Sequence, residues 1–161
     1  MPTHYPVPKS KAVEDVLGAM VGTEVKVAIE KDLAFDEDAP AILAEFVSDQ
    51  DTVGALCLVD HRAAISLGGA LVGIPPESVQ EAIDGYKLDD EAIENVREVV
   101  NVMAQLFNSD FTPHVRFREL HRQPGKLPEA ASALRRKPLA ARHFKVSIES
   151  YATGTVSLLL G

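Results

Sequence analysis

The residues best suited to chemistry stand in one stretch, Leu88 to Ser109, LDDEAIENVREVVNVMAQLFNS. Within it Glu94, Glu98, Asn101 and Gln105 recur at i, i+4, i+7 and i+11, so on a helix their side chains form one polar ridge, flanked by Glu91, Arg97 and Asn108. An amide side chain both donates and accepts hydrogen bonds and does not titrate near neutral pH. Asn101 can therefore orient a water molecule but cannot act as a general base. Glu98, one turn back, offers a carboxylate to a cationic partner. Asn is also a mediocre helix former, and in mid-helix Ala, Lys or Gln would cost less, which points to a use for the amide. The plainer reading is the solvated side that every amphipathic helix has.

A ridge works only if something holds it outward. Ala92, Ile93, Val96, Val99, Val100, Met103, Leu106 and Phe107 fall on one broad apolar arc at helical spacing. The pattern predicts one uninterrupted helix over Leu88–Ser109, with this arc against the core and the ridge facing away.

The unit Glu98-Val99-Val100-Asn101, followed after 22 intervening residues by Pro124, resembles the signature of the CheC/CheX/FliY family of chemotaxis phosphatases. That signature runs Asp or Ser, three residues, Glu, two residues, Asn, 22 residues, Pro. The sequence departs from it at the first position, where Glu94 stands. The resemblance implies a substrate, the aspartyl phosphate of a CheY-like response regulator, and roles for two residues. Asn101 would orient the attacking water, and Glu98 would form a salt bridge with the regulator's active-site lysine. Mg²⁺ would be supplied by the regulator's acidic pocket, with no cofactor held by this chain. An acyl phosphate is already labile, so placing a water in line and steadying the spreading charge are the main tasks. Glu94, Arg97 and Gln105 are the candidate partner-binding residues; Glu94 can equally pair with Arg97 at i, i+3. Pro124 carries over as a structural residue only. The alternative is a non-catalytic module of the same fold that binds a regulator, a flagellar-switch component or an adaptor.

The remaining sequence predicts the frame. Residues 1–9 hold three prolines and no periodicity, a disordered or extended tail before a domain over 10–161. Lys11 to Val21 is a short amphipathic helix stopped by Gly22. Strands follow over Glu24–Lys31, Ala41–Ser48 and Thr52–Val59, with a turn at Asp36-Glu37-Asp38 and a hairpin at Asp49-Gln50-Asp51. Asp60 caps a helix over His61–Leu71, with Gly68-Gly69 as a close-packing or helix-ending feature and Gly73 near its end. Pro75-Pro76-Glu77 opens another helix, ended by Gly85. After the long helix come a strand over His114–Leu120 with Arg116 and Arg118 outward, a helical turn over Pro128–Arg136, and a closing hairpin of His143–Glu149 and Thr155–Leu160. The order reads as one unit twice. Two such helix-plus-three-strand units can share one mainly antiparallel sheet with both leading helices on one face, and the resemblance implies the same architecture: an α/β fold class, a pseudo-symmetric CheC-like domain of two halves with two long helices on one face. The first helix has Glu14 and Asp15 but no Asn three positions on. A single site is the pattern of the CheX branch, for which the resemblance also suggests a homodimer.

Composition narrows the function classes. At 161 residues and 46% apolar content the chain is one domain with a full-sized core. A net charge of −8 argues against nucleic-acid binding, which needs Lys and Arg on phosphates. The charge is uneven, though: residues 111–161 carry 9 basic and 3 acidic side chains, which suits docking to an acidic protein. The lone cysteine, Cys57, lies in an apolar strand, where a small buried hydrophobe is the default. With no long apolar stretch or signal-like segment, no membrane association and a cytoplasmic setting are expected. The five histidines fall on different segments without ligand spacing, so no metal site is expected.

Overall fold

The computed structural model describes residues 5–30, 42–109, 112–122 and 127–161. Its elements are α1 (Ser10–Val21), β1 (Val25–Glu30), β2 (Ile42–Ser48), β3 (Val53–Val59), α2 (His61–Val72), α3 (Pro76–Asp84), α4 (Asp90–Met103), a 3₁₀ turn (Ala104–Phe107), β4 (Val115–His121), α5 (Glu129–Arg136), β5 (Ala140–Ile148) and β6 (Gly154–Leu160). The Asp36–Asp38 turn lies outside the described residues. Of the stretch 1–9, residues 5–9 form no helix or strand, and Tyr5 is buried with its N–H donating to the Gly161 carbonyl.

All six strands form one antiparallel sheet in the order β1-β5-β6-β3-β2-β4. The two expected halves are visible in that order. The third strands, β3 and β6, pair at the centre, and each half's first strand crosses to the other half's second: β1 lies on β5, and β4 lies on β2. The pseudo-symmetric α/β architecture is thus present, with an additional helix, α5, in the second half.

The sheet is covered on both faces, which explains why β2 and nearly all of β3 are buried along their length. On one face α1, α2 and α4 pack over the main core. Val13 and Leu17 come from α1, Ala63, Ala64 and Leu67 from α2, and Val96, Val99, Val100 and Met103 from α4; they meet Ile42, Phe46, Phe144, Val156 and Leu158 of the sheet. The two long helices expected on this face are α1 and α4, and α2 joins them. On the other face α5 sets Ala131 against Leu43, Leu56, Leu58 and Leu159. Cys57 is fully buried, and burial pushes its thiol up to about 12, so it stays protonated and inert.

Asp60 caps α2 as expected, its carboxylate accepting from the Ala63 N–H at 2.8 Å. Gly68 and Gly69 lie inside α2 and do not end it; Gly73 does, in a left-handed conformation at φ 77°. Their use is close packing. A Cβ on Gly68 would approach the Asn95 Cβ to 3.0 Å, and one on Gly69 would meet Val79 Cγ2 at 2.5 Å, so these glycines let α4 and α3 close on α2. The tightest approach is at Gly154, where β6 begins beneath the first turn of α2. A Cβ there would lie 2.3 Å from the Ala63 nitrogen, a backbone atom with no rotamer to change. Gly154→Ala is therefore expected to destabilise the fold by about 3 kcal/mol, read from urea denaturation. A loss below about 0.5 kcal/mol would mean that α2 is not held against β6 in this way.

Candidate functional site

The α4 helix is fixed at both ends. At its start Asp89 caps it, the carboxylate accepting from the Ala92 N–H at 2.9 Å, and Asp90 and Glu91 add negative charge where the helix dipole favours it. Arg122, just past β4, reaches the same end, donating to the Leu88 carbonyl and pairing with Asp90 at 3.0 Å. At the other end the Asn108 side chain grips Val115 at the head of β4, accepting from its N–H at 2.8 Å and donating to its carbonyl at 3.1 Å. Asn108, placed beside the ridge by its spacing, is thus a tether between α4 and β4.

The helix is shorter than the spacing predicts. The α-helical part stops at Met103, and Ala104–Phe107 continue as a 3₁₀ turn that drives Phe107 into the core against Phe46, ring centres 5.0 Å apart. Ile93, Val96, Val99, Val100 and Met103 are buried, and Glu94, Glu98, Asn101 and Gln105 are all exposed, so the ridge faces outward as its periodicity requires.

Four of the five candidate residues come together. Glu94, Arg97, Glu98 and Asn101 line one shallow hollow with Phe117 of β4. Gln105 stands on the 3₁₀ turn outside that hollow. Arg97 lies between helix and sheet: its guanidinium sits 6.0 Å from the Phe117 ring centre, and its Nε is 3.5 Å from Glu94 Oε1. That distance is an ion pair without hydrogen-bond alignment, since the buried Nε–H has no acceptor among the described residues. The i, i+3 pairing of Glu94 with Arg97 is therefore present. Glu94 is exposed and Arg97 only half-buried, so the pair contributes little stability. Its effect is to hold Arg97 over Phe117 beside Glu98 and Asn101.

Among the described residues neither the Glu98 carboxylate nor the Asn101 amide has a hydrogen-bond or ion-pair partner. Both are available to a group from outside. A water or phosphoryl oxygen entering the hollow would meet an amide that donates and accepts, a carboxylate one turn away and a guanidinium at the wall. Phe117 was legible only as an inward strand residue; that it floors the hollow follows from the β4–α4 packing. Pro124 lies outside the described residues.

Among the described residues the histidines do not form a cluster. His61 stacks on Tyr86 at 4.0 Å, and His143 Nδ1 sits 2.6 Å from Ser157 Oγ. Burial lowers the pKa of both. His121 differs: its Nε2 is 2.9 Å from Oε2 of the buried Glu45, a pairing across strands that spacing within the sequence could not reveal. No helix among the described residues is long and apolar enough to cross a membrane.

Comparison with known proteins establishes the fold. No protein-family model matches the chain, and no curated protein matches it. Solved structures do. FliM in a FliM–SpeE complex from Helicobacter pylori superposes with a TM-score of 0.67 at 6% identity, over 94% of this chain and 80% of that one. The FliM middle domain from Vibrio alginolyticus gives 0.60 at 9% identity, over 94% and 88%. FliY from Thermotoga maritima gives 0.59 at 12% identity, over 92% and 81%. The chain thus has a CheC/CheX/FliY-like fold, the one that the Glu98–Asn101 resemblance implies.

The cap makes the positioning of the site testable. Asp89→Ala removes the acceptor at the start of α4 and is expected to lower stability by about 1 kcal/mol, measured by thermal or urea denaturation. An unchanged midpoint would show that Arg122 alone secures that end.

Proposed function

We propose that this chain is a phosphatase for the aspartyl phosphate of a CheY-like response regulator. Asn101 orients the attacking water, and Glu98 anchors the helix to the regulator's active-site lysine. The reading rests on one observation: a carboxylate and an amide without partners among the described residues, one helical turn apart, face outward together from a helix whose other side is fixed in the core. The arrangement suits insertion into a second protein's pocket. There the amide would align a water with the acyl phosphate, while Mg²⁺ held by the regulator neutralises the phosphoryl oxygens. Arg97 and Glu94 line the approach, and Gln105 extends the contact surface beyond the hollow.

In this mechanism Glu98 serves binding and Asn101 serves the chemical step, so the two substitutions separate. Asn101→Ala is expected to slow dephosphorylation by about 10²-fold while leaving the Kd for the regulator nearly unchanged. Glu98→Lys is expected to abolish binding. The measurement is the lifetime of the phosphorylated regulator with wild-type and variant protein, alongside a titration of binding. A lifetime that wild-type protein does not shorten would rule out the enzymatic reading.

The second reading is a protein-binding module without catalysis. It is favoured by the likeness to FliM, one of whose matching structures is a complex with SpeE, and by Glu94 at a position where the resembled signature has Asp or Ser. Capture of a regulator by this protein, with Asn101→Ala altering neither binding nor phosphate lifetime, would select it.

A further inference from the structure

On the sheet face opposite α1, α2 and α4, strands β2 and β4 bring three donor groups together. Glu45, Glu119 and His121 each offer one ligand atom, and these atoms all lie within 4.8 Å of one another. We propose that they bind a divalent first-row transition-metal ion of the Zn²⁺ or Co²⁺ kind, which clips the edge strand β4 to β2.

The first support is an irregularity in the backbone. Val115 and Phe117 face the main core, and strict alternation along β4 would carry Glu119 to that side as well. The pairing instead runs Glu45 to Glu119 and Phe46 to Phe117, which leaves Arg118 as an extra residue in a β-bulge. The bulge resets the alternation, so Leu120 joins the main core while Glu119 and His121 turn to the opposite face, where Glu45 already points. Without it Glu119 and Glu45 would lie on different sides of the sheet. Bulges that re-aim side chains in this manner recur at binding sites.

Charge gives the second. Glu45 and Glu119 are direct cross-strand partners, and like charges facing across a ladder destabilise it. Glu45 is also only 1% exposed, which makes its carboxylate costly without compensation. His121 is its one hydrogen-bond partner among the described residues, at 2.9 Å. A neutral imidazole leaves both negative charges in place, and an imidazolium cancels one. A divalent cation cancels both.

Donor type and spacing give the third. Metal–ligand bonds of about 2.0–2.2 Å place neighbouring ligand atoms roughly 3 Å apart, close to the separation already found between His121 and Glu45. The Glu119 side chain is exposed and can rotate to close the remaining gap. One imidazole with two carboxylates favours a transition ion over Mg²⁺ or Ca²⁺, whose sites are built from oxygen. Three protein ligands leave room for water on the metal.

The test is a titration of the full chain, first stripped with a chelator, with Co²⁺ followed by visible absorption and with Zn²⁺ followed by thermal melting. Saturable Co²⁺ binding and a Zn²⁺-dependent rise in Tm are expected for wild type. Glu119→Gln alters an exposed side chain and relieves the repulsion from Glu45, so it should hold or raise the metal-free Tm while weakening Co²⁺ binding by about 10-fold or more. His121→Asn provides a second, independent loss, judged against its own metal-free melt. Absence of saturable binding to wild type, or undiminished affinity in both variants, would overturn the proposal.

Discussion

The constraint on which the site depends is the burial of one side of α4. Val96, Val99, Val100 and Met103 are held in the main core by the sheet below and by α2 alongside. Each buried aliphatic side chain contributes about 1.5–3 kcal/mol, so rotating the helix to hide its polar ridge would forfeit several such terms together. No comparable force acts on Glu98 or Asn101. Their outward orientation is a consequence of what lies beneath them, and the tethers at Asp89, Arg122 and Asn108 fix where along the surface the ridge stands.

The halves of the domain are alike in plan and unlike in what they present. In α1 the corresponding surface is used internally: Glu14 accepts from the Val27 N–H at 3.0 Å, and Asp15 pairs with Lys11 at 3.0 Å. Those carboxylates are engaged with their own chain. In α4 the carboxylate and amide engage no other side chain among the described residues. The contrast supports assigning the outward-facing work to the second half alone.

Much of this was legible in the sequence, for definite reasons. The apolar arc of α4, the cap at Asp60, the stop at Gly22 and the alternation in β1 and β5 are local patterns, and local sterics and hydrogen bonding decide them. The ridge was legible because a helix fixes its faces by spacing alone. The end of α4 was not, since Leu106 and Phe107 keep apolar spacing through a turn whose tighter winding shifts little over four residues. The parity change at Arg118 was hidden as well, because a period of two carries no mark of an inserted residue until the partner strand is known. Phe117 beneath Arg97 and Glu45 beside His121 are contacts between segments far apart in the chain. Nothing in either segment alone specifies them.

The crossed placement of the first strands has a consequence for how the molecule comes into being. The partner of β1, β5, is made more than a hundred residues later, and β3 must likewise wait for β6. Neither half can complete its own sheet, so cutting the chain between α3 and α4 would leave two fragments with unpaired strand edges instead of two smaller domains. Such long-range pairing makes for slow, all-or-none assembly. The growing polypeptide must keep an adhesive edge of β3 shielded until β6 is released.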